Sequence, residues 1–490
     1  MVSRQGAAFQ VKRASGTLKI LVKNKMAVVG LLLLFGFVFL ALGGSLLTPY
    51  DSNQQVSGVM AQPDWVMNFP DGYYLSRNIV VVNDPLFNSP SSIQAWTVTA
   101  SPSTLSSLQL SYASGVVPTA DSKGSVQMVY NGAGPGTVKL SQTFQYPYHG
   151  PPRAFSSAIK YLLSGASQAQ PVHIRLFIDA GPGRVFNILN VNDTQDGQWL
   201  PPPSVSLDNV ATAIGSGGTG FNPSELIFSA RQAYSYGVEV TFYGPQQINI
   251  DNLQLKLFGT AWGLMGTDYA GDDVFTQVVY GARISLLVGL LSAGIGIGLG
   301  LVIGLLAGFL GRLIDEVLMR FTDMMLVIPG LPLLIVLVAV LGANIWNLII
   351  IIGFLGWMGF ARVVRSQVLT LRERPFVEAA RAAGAGPGRI ITRHIFPNIV
   401  SLTYVNLALT VPAAILAESA LAFLGLSDPT VNSWGHMFEN IQISGSLSRF
   451  PPAWWWVLPP GFSIALVSLS FVLIGYALDE IFNPRLRKRR

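Results

Sequence analysis

The sequence predicts an all-α membrane bundle interrupted by an inserted all-β domain. Three observations carry that prediction. Half of the 490 residues are hydrophobic and only 11% are charged, against about a quarter charged in soluble domains. Mean hydropathy is +0.46. Several apolar runs are long enough to cross a hydrocarbon core of ~30 Å. Between the first two of them lie some 200 residues of a different, strand-like character.

The first apolar run, Met26 to Leu47, follows Lys12, Arg13, Lys19, Lys23 and Lys25. It is long for a signal peptide and lacks a small-x-small cleavage site, so it reads as a first span with a cytoplasmic N-terminus. Further spans are expected at 282–310, 318–341, 345–366 and 459–479, with one more at 398–424 interrupted by Pro412 and Glu418. Six spans place both termini inside. The connector Arg312 to Arg320, the region Arg362 to Arg393 and the tail Arg485 to Arg490 then all face the cytoplasm, as the positive-inside rule asks.

Pro329 and Pro332 remove backbone donors and should bend the third span, as a hinge or as a static kink. Gly294, Gly296, Gly298, Gly300, Gly304 and Gly308 recur at two- and four-residue spacing in the second span, which suits close helix packing. Glu418 is the one acid in an otherwise apolar span. It is expected either to line a pathway or gate, or to pair near the outer interface. Asp323, nearer the cytoplasmic surface, reads as a solvated acid.

From Ser52 to Leu257 the chain carries nine Lys/Arg against eleven Asp/Glu, a net −2 within a total of +6. The remaining +8 lies mostly in short polar segments beside apolar runs, which argues against nucleic-acid binding. Val172 to Ile178, Val238 to Tyr243 and Ile248 to Phe258 alternate apolar and polar residues, as half-buried strands do. Gly181-Pro-Gly183, Pro201-Pro-Pro203 and Gly215-Ser-Gly-Gly218 punctuate them, so a β-sandwich over 52–257 is expected. Trp65, Trp96, Trp199, Tyr73, Tyr74, Tyr146 and Tyr148 are candidates either for sugar stacking or for the core.

The chain has no cysteine and no Gly-Lys dipeptide. Thiol chemistry and a phosphate-binding loop are therefore excluded. His149, His173, His394 and His436 are scattered, and no metal site is expected.

The most informative segment is Glu378-Ala379-Ala380-Arg381-Ala382-Ala383-Gly384, continuing to Ile390-Ile391-Thr392-Arg393-His394-Ile395-Phe396-Pro397. Alanines favour a helix, Gly384 a stop, and small side chains allow another surface to approach closely. This segment resembles the EAA loop of ABC importer permeases. Around it stand Met265-Gly-Thr-Asp268, Tyr280-Gly-Ala-Arg283-Ile-Ser285, Asp315 to Arg320, Gly359-Phe-Ala-Arg362, Glu418 to Gly425, Ser433-Trp434-Gly435 and Asp479 to Pro484. Together with Lys23 to Gly30 and Leu47 to Asp51, they resemble the C subunit of oligopeptide/dipeptide-type permeases over roughly 20–51 and 258–490. Two departures matter. The usual Asp-rich motif after Asp268 lacks its Arg, and most members lack the insert.

The resemblance implies a type I importer permease core in 258–490. Its coupling helix, 372–390, would contact the ATPase through Glu378, Ala379, Ala380, Arg381, Gly384 and Pro397. It implies a second, B-type permease subunit, two ATPase subunits that bind ATP and Mg, and an extracytoplasmic solute-binding protein delivering oligopeptides or oligosaccharides. This chain would hold no cofactor and catalyse nothing. It would sit in the cytoplasmic membrane, with 1–25 cytoplasmic, 26–47 the first span and the insert outside. Ile248 to Leu255, and Leu140 to Phe144 with Val172 to Leu176, loosely resemble jelly-roll carbohydrate-binding modules. Two rival readings are a surface-anchored carbohydrate-binding or adhesion protein and an ion-coupled secondary transporter. One span would suffice for the former, and more intramembrane charge is expected of the latter.

Overall fold

The computed structural model describes residues 23–200, 222–448 and 452–482. Lys12, Arg13, Lys19, the Pro201 and Gly215 breaks and the Arg485–Arg490 tail lie outside them. The chain divides into two compact units, one up to Gln54 and from Val274 onward, the other Gln55–Asp273.

The first unit is helical. Helix α1, Lys25–Leu42, starts where the Asn24 side chain accepts from the Met26 N–H at 2.9 Å. Helix α2, Val274–Leu310, is the long central element. Gly296, Gly300, Gly304 and Gly308 line one face of it, where an added Cβ would lie 2.6–3.1 Å from Gly353, Trp357, Ala361 and Val368. These glycines let the backbones approach. Gly294 and Gly298 face open space. The predicted glycine pattern therefore sorts into a packing stripe and two positions off it.

Helices α3, Arg312–Val327, and α4, Gly330–Leu341, cover the span expected at 318–341, and they meet at 90°, bent as Pro329 and Pro332 led one to expect. The bend sits at Ile328-Pro329. Ile328 is extended (ψ 127°), the conformation that a following proline imposes, and Pro329 caps α4 with Pro332 in its first turn. Helices α5, Ile345–Leu355, and α6, Met358–Arg372, form one span broken at Gly356. Helices α7, Pro375–Ala382, and α8, Pro387–Ile390, are short. A π-type turn, Ile391–Ile395, leads into α9, Phe396–Phe423, which runs unbroken through Pro412 and Glu418. Helices α10, Trp434–Ile443, and α11, Trp454–Phe482, complete the unit. Among the described residues five helical stretches are long and apolar enough to cross a membrane, or six if the bent α3–α4 pair counts as one.

The second unit holds eleven strands among the described residues: β1 Ile79–Val80, β2 Thr97–Ala100, β3 Leu108–Ser114, β4 Gly124–Tyr130, β5 Gly136–Gln145, β6 Ala154–Ser164, β7 Val172–Asp179, β8 Val185–Asp193, β9 Trp199–Leu200, β10 Ala233–Phe242 and β11 Gln246–Phe258. One antiparallel sheet runs β3-β4-β11-β6-β9 with β1 on β11, the other β2-β5-β10-β7-β8. Strand β6 alternates buried and half-buried residues along its whole length, the pattern of a sheet with one face in a core. Val126, Met128, Ile248 and Ile250 from one sheet share a single core with Leu140, Val238, Val240 and Leu176 from the other. Trp96 and Tyr146 belong to that core, whereas Trp65, Tyr73 and Tyr74 are exposed. The unit extends past 257 because 259–273 bonds back to its start, as in Met60 N–H to Asp268 O at 2.7 Å and Gln62 N–H to Thr260 O at 2.8 Å.

Candidate functional site

Helix α7 begins at Pro375 after an extended Arg374, an N-terminus that needs no donor from residue 375. Glu378 occupies its first turn and Arg381 its last, each sign matched to the helix dipole. The helix ends at Gly384 with φ +77°. Ala385 N–H donates to Ala380 O and Gly384 N–H to Arg381 O, both at 3.0 Å. These paired bonds require a left-handed residue between them, which is why glycine stands there.

Val377, Ile390, Ile395 and Ile399 are at most 1% exposed and pack with Phe360, Val364 and Val368 of α6 and with Ile297 and Leu305 of α2. Ala380 is half-buried against this footing. The opposite side is open. Glu378, Ala379, Arg381, Gly384 and Pro397 are exposed, and a Cβ at Gly384, Gly386 or Gly388 would meet nothing within 4 Å. Of the six residues expected at the coupling surface, five are exposed and Ala380 is half-buried against the core. Pro397, in the first turn of α9, follows the π-type turn.

Two ion pairs bracket this segment on its N-terminal side. Arg365 makes a bidentate bond to Asp315 (2.5 and 2.7 Å) across α6 and α3. Arg362 pairs with Asp323, which is exposed as expected of a solvated acid but has this cationic partner. Arg372 Nη1 donates to Gly308 O at 3.3 Å. Sequence reading missed both pairs. The acids and arginines were visible, but their matching across 39 and 50 residues follows only from the packing of α3 on α6.

Glu418 is 2% exposed on α9. Ser433 Oγ donates to it at 2.6 Å and Ser419 Oγ at 3.4 Å. Ser433 also caps α10 by accepting from His436 N–H, and Trp434 bonds Ser285 and Val278 of α2. Glu418 thus fastens the α9–α10 junction. Pro329 and Pro332 stand apart from it, at the α3–α4 bend. In the same junction, Asp428 is subject to burial that would raise its pKa. The hydrogen bonds from Thr430 and from Ile345 N–H outweigh that and hold it below the usual range.

Residues 300–488 match the family model described as the binding-protein-dependent transport system inner membrane component, and residues 15–63 match the N-terminal TM domain of oligopeptide transport permease C. The dipeptide transport system permease protein DppC of Alkalihalophilus pseudofirmus is 42% identical over 223 residues, 45% of this chain and 72% of that one. Among solved structures, the inward-facing MetNI methionine ABC transporter covers 42% of this chain and 94% of its own at 18% identity and TM-score 0.33. The module TmCBM61, solved with β-1,4-galactotriose, covers 37% and 98% at 17% identity and TM-score 0.24. Likenesses at these TM-scores are too slight to identify a fold.

Proposed function

The chain belongs to the oligopeptide/dipeptide-type permeases of ABC importers, as a C-type subunit, and from that premise we propose that its segment 372–390 is the surface on which the importer's ATPases act. The chain is a multi-pass membrane protein that forms the translocation pathway of an ATP-driven importer. In the proposed assembly it pairs with a B-type permease and two ATPase subunits. Those subunits hold ATP and Mg, and this chain catalyses nothing. A solute-binding protein delivers the cargo, and the cargo class favoured by the named dipeptide relative is a short peptide.

The bent α3–α4 pair counts as one of six spans, both termini face the cytoplasm, and the two-sheet unit is an extracytoplasmic β-sandwich. Supporting that orientation, Arg381, Arg389 and Arg393 fall in the short helices and turn between α6 and α9, with Arg320 in amphipathic α3 and Arg362 and Arg365 in amphipathic α6, all on one side of the proposed topology.

One observation carries the assignment of the coupling surface. A helix–glycine–helix segment stands on a fully buried apolar footing while its small-residue side is bare. A footing of that kind transmits displacement, because packed interiors resist compression. ATP-driven closure of the ATPases would move α7 as a body. The footing would pass that movement to α6 and α2, whose rocking opens the pathway to alternate sides.

Ala379→Arg tests this. Ala379 is exposed and helical, and arginine is a good helix former, so the variant should fold and reach the membrane. It should fail to co-purify with the ATPases and should lose peptide-stimulated ATP turnover. Normal association and turnover would sink the assignment.

A further inference from the structure

The two ends of the β unit are stitched together. Gln55 bridges Asp272, and Val56 N–H donates to Gly271 O at 2.9 Å. The next residue after the unit's last, Val274, opens the apolar helix α2. This end of the unit is therefore covalently one residue from a membrane-crossing helix.

The same end carries two short 3-10 turns, Asp64–Asn68 and Pro70–Gly72. Asp64 N–H donates to Gly263 O at 2.9 Å and Trp65 Nε1–H to Leu264 O at 3.1 Å. The two turns are thereby fixed to the strip leading into α2. They and their flanking residues present Trp65 (43% exposed), Phe69 (58%), Tyr73 (55%) and Tyr74 (68%), beside Leu264 (60%). Elsewhere in the unit Trp96, Tyr146, Tyr234 and Tyr236 are buried in the core, while Tyr243 (44%) and Tyr269 (46%) are exposed singly along the chain. Large rings left in water at one place need a reason.

We propose that this aromatic patch is seated at the headgroup–acyl boundary of the bilayer, mooring the inserted unit to the lipid surface. Trp and Tyr suit that boundary because each ring has an apolar body and a polar handle. The charges nearby fit a wet, polar boundary better than a dry protein interface. Asp64 is neutralised by Arg77 at 3.4 Å, and Asp71 stands exposed between Phe69 and Tyr73. The helical unit independently shows the same chemistry at two helix starts, with Trp346 in the first turn of α5 and Trp454 at the start of α11, 57% and 38% exposed. The inference depends on neither the peptide cargo nor the coupling surface.

The chain has no cysteine of its own, so single nitroxide labels can be placed without background from it. Phe69→Cys and Tyr74→Cys, with Lys123→Cys on the exposed turn between β3 and β4 as reference, would be labelled in the assembled importer in nanodiscs. Collision with oxygen, which partitions into lipid, is compared with collision with a water-soluble nickel chelate. At positions 69 and 74 the oxygen-to-nickel ratio should exceed that at 123 several-fold. A ratio equal to that at 123 would place the patch in water. Exclusion of both reagents would mean that a protein covers it. Either result overturns the proposal. All three positions are exposed, so the labels should leave the fold intact. Should the Tyr74 variant fail to assemble, Phe69 alone decides the question.

Discussion

Asp272 should make the inserted unit less stable as pH rises toward neutrality, the reverse of the behaviour expected of a salt-bridged carboxylate. Asp272 is 9% exposed and Asp268 1%. Asp272 N–H donates to Asp268 Oδ1 at 2.9 Å, so the two acids share one turn. Burial, reinforced by the charge of Asp268, lifts the pKa of Asp272 from 3.8 to about 7. The unfolded chain gives up this proton near the lower value and the folded chain keeps it until the upper one. Between them the folded state holds more protons, so the stabilisation is full below the unfolded value and is lost as pH rises through the folded one.

At 1.36 kcal/mol per unit, a displacement of about three units sets a ceiling of ~4 kcal/mol. Of this, about two units fall between pH 5 and pH 8, and relaxation and the sharing of charge with Asp268 bring the expected loss over that range to roughly 1–2.5 kcal/mol. For a unit of this size that is a fall in Tm of about 3–8 °C. Asp272→Asn keeps the shape and removes the charge. Its melting profile should be flat over the same range and higher than wild type at the alkaline end. The measurement is differential scanning calorimetry of the importer in nanodiscs at a series of pH values, with the exposed Asp196→Asn as control. Parallel profiles for wild type and Asp272→Asn would refute the reasoning.

Gly435→Ala should strain the α9–α10 junction, since the new Cβ would lie 2.6–2.7 Å from both carboxylate oxygens of Glu418. A loss of about 1–3 kcal/mol is expected in detergent melting, and a double variant with Glu418→Ala should recover part of it. Asp315→Asn should leave Arg365 without its bidentate partner and cost roughly 1–3 kcal/mol. The charge swap Asp315→Arg with Arg365→Asp should restore peptide-stimulated ATP turnover better than either single change, and equal loss in all three would deny the pair a role.

Legibility from sequence followed the range of the forces involved. Strand alternation in Val172–Ile178, Val238–Tyr243 and Ile248–Phe258 is set by which face meets a core, and β7, β10 and β11 stand where it put them. The exposed side of α7 was legible for a similar reason: helix propensity and a left-handed stop are local. Sequence patterns alone did not divide the aromatics into core and surface. Trp96 and Trp65 sit in comparable contexts, and only the packing of one sheet on the other buries the first. Nor did sequence match Asp315 to Arg365 or Glu418 to Ser433, because those choices are made by helix packing.

The region 318–341 shows where a local rule and a global average part company. Averaged over a window it is apolar enough for one span, yet α3 is amphipathic and α4 is apolar throughout. Pro329 supplies no N–H and disfavours the helical region at Ile328, which is extended, so the helix breaks at that pair. In lipid the freed carbonyls of such a break need partners or water. The break therefore belongs where a neighbouring subunit or an aqueous path covers it. Leu331, Val336, Val340 and Leu341 on α4 are exposed within this chain, as they must be if α4 packs against lipid or a second permease. The bend thus puts an amphipathic helix and an apolar one at 90°, five residues after Asp323, which pairs with Arg362 of α6. Under the proposed function, a displacement of segment 372–390 carried by α6 would pass to α3 through its two ion pairs.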